Sequence, residues 1–370
     1  IFRKFQRPFR YLLKDSMRYE KDLYVAQAST RYEEEFDALT HSYTNDVRYF
    51  IGYTGCGKST FIRHYFSLDN ISPKLIDNGN TLVIPSFWNG KKVDKLTYRD
   101  CIIRHIVSSI RSAIMTIDRT KGLVFPHNEL EEFFSYIQTT RGEILSTLSP
   151  EQYSENGNDP SSIISMILSK TSEESALEYA SSTLKFFIEK YSDISRVIFV
   201  IDDVETMDAE VLNFLVDTYY HMYSCFENVA EKEIIVNLLV SLRPHSFRYL
   251  RDIGLTHEKI IAYGNHLESR CYQIIRNDIP NIREIFIRRF EKAEKLFTPG
   301  NPNTWKTAKS CLFALIDSFE SKYIDIITDL CHMNIRVIFD CLQLSVGSLG
   351  QLSVIYNFHI QYSLEYITKV

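Results

Sequence analysis

The chain has 370 residues, of which 42 are Lys or Arg and 47 are Asp or Glu, so its formal net charge is −5. A hydrophobic content of 45% with 13% aromatics excludes disordered, collagen-like and low-complexity classes, and the length suits about two to three domains. The mildly acidic balance gives no electrostatic argument for bulk binding to nucleic acid or to anionic lipid, although it does not exclude a local basic groove.

The seven cysteines form no CxxC pair and no zinc-ligand spacing, and no secretion signal accompanies them. We therefore expect reduced thiols and a cytoplasmic location. No apolar run approaches the roughly 18 residues needed to cross a bilayer, so no membrane partner is expected. Because the sequence begins without Met and ends without a recognisable stop signal, we expect it to be a fragment.

The elements predicted in chain order alternate between strands and helices. A strand at 48–51 leads through a glycine-rich turn into a helix that begins near Lys58, and a second strand follows at 81–84. Apolar spacing predicts further helices and strands, namely helices at 98–117, 177–191 and 211–223 and strands at 197–201 and 234–240. Continuously apolar strands separated by helices indicate an α/β fold in which helices flank a parallel β-sheet.

The turn after the first strand has the pattern of a phosphate-binding loop. Residues 52–60 read GYTGCGKST and fit GxxxxGK[ST] at every position. Glycines let the backbone curl its N–H groups around phosphate oxygens, Lys58 brings a positive charge to the β- and γ-phosphates, and Ser59 offers a hydroxyl to Mg²⁺. We therefore predict a P-loop that binds ATP and Mg²⁺ through Gly52, Thr54, Gly55, Cys56, Gly57, Lys58, Ser59 and Thr60.

An acidic pair follows the strand at 197–201. Ligands of parallel sheets bind at the carboxyl ends of the strands, so Asp202 is predicted to be the Walker B residue that holds Mg²⁺. Asp203 could orient or deprotonate the attacking water, and Glu205 competes with it for that role. The long separation from Lys58 predicts a helical insertion at about 95–190.

The next strand ends in Leu239-Val240-Ser241-Leu242-Arg243-Pro244. This ending resembles the sensor-1 strand of AAA+ and STAND ATPases, which in the STAND branch reads similarly T-S-R-P. The resemblance implies that Ser241 or Arg243 reads the γ-phosphate. It also implies a sensor-2 helix at 331–338, in which Arg336 faces the nucleotide.

The same resemblance assigns the remaining parts of the chain. Residues 1–45 would be an N-terminal segment, in which Arg31 contacts the adenine. An ATPase core at 46–275 would carry the insertion, an all-α lid would follow at 276–345, and 346–370 would be a C-terminal segment. Such ATPases form rings in which a neighbouring subunit supplies an arginine finger, and the candidates are Arg248, Arg251, Arg270 and Arg276.

Long insertions with this motif order are similar to ATPases of bacterial antiphage defence, including the RADAR-like system. The similarity implies a ring-type homo-oligomer that uses ATP hydrolysis as an assembly or conformational switch, with an unknown protein partner. Two alternatives stay open: an Orc/Cdc6-like loader or initiator that binds DNA, and a nucleotide-dependent scaffold without turnover. Asp203 stands where many AAA+ proteins carry Glu, which implies slow hydrolysis.

Overall fold

The computed structural model describes residues 24–25, 31–43, 45–68, 72–88, 97–121, 193–204, 207–227, 234–254 and 271–274, with shorter helical pieces at 177, 180–181, 184–189, 284–285, 287–289, 291–292, 310, 334–335 and 337. The chain divides into two compact units. One takes residues 1–34, 52–65 and 273–370, and the other takes 35–51 and 66–272.

The described helices are α1 (Arg31–Thr40), α2 (Lys58–Tyr65), α3 (Tyr98–Lys121), α4 (Ala209–Glu227) and α5 (Pro244–Gly254). The described strands are β1 (Asp46–Ile51), β2 (Lys74–Ile76), β3 (Thr81–Phe87), β4 (Arg196–Asp202), β5 (Ile235–Leu242) and β6 (Cys271–Gln273). Within these ranges, no helix is both long enough and apolar enough to cross a membrane.

The strands form one six-stranded sheet in the order β2-β3-β4-β5-β1-β6. The central pairs β3–β4, β4–β5 and β1–β5 are parallel, and the edge strand β2 pairs antiparallel with β3. Ile51 at the end of β1 lies opposite Leu242 of β5, so these two strands finish at the same edge. The predicted fold class, a parallel sheet flanked by helices, is confirmed.

The two faces of the sheet are covered by different helices. On one face, α3 and α4 bury an apolar core against alternate strand residues such as Leu82, Phe199 and Val240. On the other face, Phe36 of α1 packs edge-on against Phe50 of β1, with ring centroids 5.2 Å apart. Continuous apolar strands are what a sheet covered on both faces requires.

Two elements differ from the sequence prediction. β3 does not end before Pro85 but continues to Phe87, with Pro85 opposite Val200 of β4. β2 pairs with β3 only as far as Val83, so among the described residues no strand lies beside Pro85 on that side of β3. The missing N–H of Pro85 therefore costs no hydrogen bond of the sheet on that side. Helix α1 was not predicted at all.

Candidate nucleotide-binding site

The predicted phosphate loop joins β1 to α2. Gly52 follows the last residue of β1 directly, and α2 begins at Lys58. Gly55 and Gly57 have φ angles of 77° and 103°, in the left-handed region that residues with a Cβ rarely adopt. The amide of Phe61 bonds to the carbonyl of Gly57 at 2.9 Å and starts the helix. This strand, loop and helix sequence has the backbone shape that phosphate cradles need.

The ammonium group of Lys58 lies inside the loop. The residue is only 4% exposed. Its Nζ donates to the carbonyl oxygen of Gly52 at 2.6 Å and to that of Tyr53 at 3.1 Å. Two loop carbonyls therefore help to hold the ammonium group in place, and its positive charge is of the sign that a phosphate ligand requires.

The other predicted loop residues differ in exposure. Ser59 and Thr54 are half-buried, and Thr60 is exposed. Cys56 is fully buried, and a Cβ added at Gly52 would come within 2.8 Å of both Cys56 Sγ and Ile274 Cδ1. Gly52 is thus required by the lack of room, whereas Gly55 and Gly57 are required by their backbone angles.

The acidic pair marks the end of β4 in the other unit. Asp202 is the last residue of the strand and is 1% exposed. Its carbonyl accepts a hydrogen bond from the amide of Trp88 at 3.0 Å, which continues the β3–β4 pairing by one residue. Asp203 then turns the chain with a φ of 60°, a left-handed conformation that Asp tolerates better than most residues. Strained backbone of this kind clusters at functional sites.

The end of β5 carries the predicted sensor residues. Ser241 is completely buried, and its Oγ has no hydrogen-bond partner among the described residues. Arg243 is half-buried and caps α5, because its carbonyl accepts from the amide of Phe247 at 3.0 Å. A buried hydroxyl without a partner costs about 1–3 kcal/mol, so its position at the carboxyl edge calls for a ligand or water.

The topology indicates the same edge. The chain passes from β1 to the far edge strand β2, returns through β3, β4 and β5 toward β1, and then crosses to β6. The strand order therefore reverses at the pair β1–β5. In open α/β sheets ligands bind outside the carboxyl ends of the strands at such a reversal. Within the unit that holds the sheet, this is where Ile51 of β1 lies opposite Leu242 of β5.

The structure does not place several of the predicted residues at a candidate site. Glu205, Arg336, Arg270 and Arg276 lie outside the described residues. Arg31 is exposed and is the first residue of α1, while its neighbour Tyr32 is buried, 5.0 Å between ring centroids from Phe61 of α2. Of the finger candidates, Arg248 is exposed on α5, and Arg251 lies on the same helix.

Two residues with a clear place near these elements were not predicted as site residues. Trp88 is fully buried, holds the carbonyl of Asp202 through its amide, and has an indole N–H without a partner among the described residues. Asn334 lies against Gly55 of the loop. Only Asn334 had a sequence signal, because Asn is a preferred residue immediately before a helix.

Comparisons with known proteins give distant similarities. No protein-family model matches the chain, and no curated protein matches it. Among solved structures, it is similar to the Aeropyrum pernix ORC1 protein in complex with DNA, with a TM-score of 0.39, 11% identity, and coverage of 98% of this chain and 69% of that chain. The Aeropyrum pernix ORC2 protein in its ADP form gives a TM-score of 0.38, 12% identity, and coverage of 97% and 72%. Similarities at this level do not decide the function.

Proposed function

We propose that this chain is a Mg²⁺-dependent ATPase of AAA+ or STAND type, in which ATP binding and hydrolysis drive an assembly or conformational switch. The observation that carries the proposal is the phosphate loop, with its left-handed glycines at 55 and 57 and its buried Lys58. Burial of an ammonium group is costly, so a glycine-rich turn without a phosphate-binding role is not expected to bury a lysine among its own carbonyls.

The proposal gives each residue a role. Lys58 and the loop amides bind and neutralise the phosphates, and bound Mg²⁺ would supply further charge neutralisation on the leaving and transferred groups. Ser59 and Asp202 would bind the metal ion. Asp203 or Glu205 would orient the attacking water, and Ser241 or Arg243 would sense the γ-phosphate.

Phosphoryl transfer to water makes modest demands on such residues, because catalysis consists mainly of positioning and charge stabilisation. The left-handed turn at Asp203 lies immediately beyond β4. Ser241, whose hydroxyl has no hydrogen-bond partner within the described part of the chain, is the second-last residue of the neighbouring strand β5. Both features support turnover as well as binding. The proposal therefore includes hydrolysis.

The experiment that tests it is a titration of the purified chain with ATP and Mg²⁺, followed by an assay of phosphate release. Saturable binding with release is expected. Tight binding with no release would instead establish the scaffold alternative. Absence of binding would overturn the phosphate-loop assignment and the proposal with it.

Assembly and biological role are further parts of the proposal that rest on the motif order. A ring-type homo-oligomer should appear as an ATP-dependent increase in mass by light scattering. A role in antiviral defence stays a prediction. The DNA-binding alternative predicts that the logarithm of the binding constant for DNA falls steeply and linearly with the logarithm of the salt concentration. If the chain does not bind DNA, this alternative is excluded.

A further inference from the structure

Within one compact unit, Asn334 and Ile335 contact the phosphate loop at Gly55, which we call the crest of the loop. The amide of Ile335 donates to the carbonyl oxygen of Gly55 at 3.1 Å. Asn334 Oδ1 accepts from the amide of Val337 at 3.3 Å, the spacing of an N-cap that bonds to the third residue of a helix. The first amides of a helix lack partners within the helix, and here one of them is satisfied by the loop.

The side chain of Asn334 also fills the space beside Gly55. A Cβ added to Gly55 would overlap Asn334 Oδ1 and lie 2.7 Å from its Cγ. Gly55 is therefore required twice, once by its φ angle of 77° and once by the cap that lies against it. The fit and the hydrogen bond together form a clasp, defined here as the contact of Asn334 and Ile335 with Gly55.

We propose that Asn334 is a positioning residue of the phosphate loop, which holds the crest at Gly55 in its cradle shape and couples nucleotide occupancy to the segment 334–337. This inference rests on the proposed function. By capping the segment, Asn334 orients the Ile335 amide toward the Gly55 carbonyl. Phosphates that stabilise the loop shape then stabilise the clasp, and by thermodynamic linkage the clasp strengthens phosphate binding by the same factor.

The test uses ADP with Mg²⁺ as the probe and compares the wild type with Asn334→Ala and Asn334→Ser. Asn334→Ala should bind ADP about fivefold more weakly, a factor in the range of a lost helix cap, and Ser, which caps helices nearly as well as Asn, should restore most of the affinity. Glu291→Gln changes an exposed side chain of the same compact unit outside the segment 334–337 and should leave ADP affinity unchanged.

Hydrogen exchange at the Ile335 amide gives a second readout in the wild type, which needs no variant to fold. ADP should slow that exchange about fivefold, by the same linkage. If the wild type binds ADP but its Ile335 amide exchanges at an unchanged rate, or if Asn334→Ala binds like the wild type, the inference is overturned and the ATPase proposal stands. A wild type that binds no ADP overturns the ATPase proposal itself, and the inference falls with it.

Discussion

Lys58 Nζ donates a 2.6 Å hydrogen bond to the carbonyl oxygen of Gly52, so the charged end of the loop is tied to its first residue. A second bond joins Lys58 Nζ to the carbonyl oxygen of Tyr53 at 3.1 Å. Two carbonyl dipoles of the loop thus help to keep the ammonium group in position. A charged group that is already in position favours an incoming anion, because little rearrangement is needed when the anion binds.

Replacing Lys58 by Ala should abolish ATP binding, with a loss of affinity of about 100-fold or more, because a buried charge-assisted phosphate contact is worth about 3 kcal/mol. Isothermal titration measures the loss. Lys74→Ala is the matched control, since Lys74 Nζ also donates to a backbone carbonyl, that of Ser67 at 2.7 Å, but lies on the edge strand β2. Equal effects from the two variants would contradict a phosphate role for Lys58.

The turn at Asp203 predicts that two substitutions with the same loss of charge differ in stability. Asp203→Asn should leave the free energy of unfolding within about 0.5 kcal/mol of the wild type, because Asn tolerates a φ of 60° as well as Asp does. Asp203→Ala should lose about 1 kcal/mol through the left-handed strain. Urea unfolding measures both.

The same pair of variants separates chemistry from strain. If Asp203 orients the attacking water, both should bind ATP and both should lose phosphate release. Wild-type release by Asp203→Asn would transfer that role to Glu205, the competing carboxylate of the sequence prediction.

How much of the fold was predictable depended on whether local pattern and tertiary environment agreed. α3, β4 and β5 were predicted because their apolar residues follow regular periods and both ends carry polar signals. α1 was missed because its charged run, Arg31 to Glu35, dominates the pattern. The buried residues Tyr32, Phe36 and Leu39, spaced at i, i+4 and i+7, were the available signal.

The residues of the candidate site also differ in how far the sequence predicts them. The phosphate loop was predictable because its chemistry fixes residue type at nearly every position. The position of Asn334 against Gly55 was not, because residues so far apart in the chain meet only through tertiary packing. Likewise nothing in the sequence indicates that the amide of Trp88 holds the carbonyl of Asp202.

The buried hydroxyl of Ser241 predicts opposite effects on stability and activity. Ser241→Ala removes a polar atom that has no partner among the described residues, so the free energy of unfolding should stay unchanged or rise by about 1 kcal/mol. Phosphate release should fall if Ser241 reads the γ-phosphate. Ser181→Ala is the control, because its buried hydroxyl donates to the carbonyl of Leu177 at 2.8 Å and its loss should lower stability by about 1 kcal/mol. A stability loss at Ser241 as large as that at Ser181 would contradict the assignment of an unpartnered hydroxyl.

At the opposite edge of the sheet, Arg196 joins β4 to β5 and to the end of α1. Its Nη1 donates to the carbonyl of Leu39 at 3.1 Å and to Asn237 Oδ1 at 3.0 Å, and its Nη2 donates to the carbonyl of Ser42 at 2.6 Å. Burial lowers the pKa of this guanidinium, and the electrostatic interactions with Asp77 and Tyr43 oppose that shift. Because an arginine stays protonated at neutral pH, these three bonds are made by a full charge.

Arg196→Met keeps the length of the stem but leaves three acceptors without their donor, so it should lower the free energy of unfolding by about 3 kcal/mol. Arg196→Lys should lose about 2 kcal/mol, since an ammonium cannot reach both sides as the planar guanidinium does. The control is Arg48→Met on strand β1, which β5 separates from β4. The side chain of Arg48 is 25% exposed and pairs with Asp46 at 2.8 Å and with Glu35 at 3.4 Å. A partly exposed pair of this kind contributes about 1 kcal/mol or less, so Arg48→Met should change stability by no more than that. Urea unfolding with an unchanged m-value gives all three differences, and a loss at Arg196 no larger than that at Arg48 would show that the buried guanidinium does not hold this edge together.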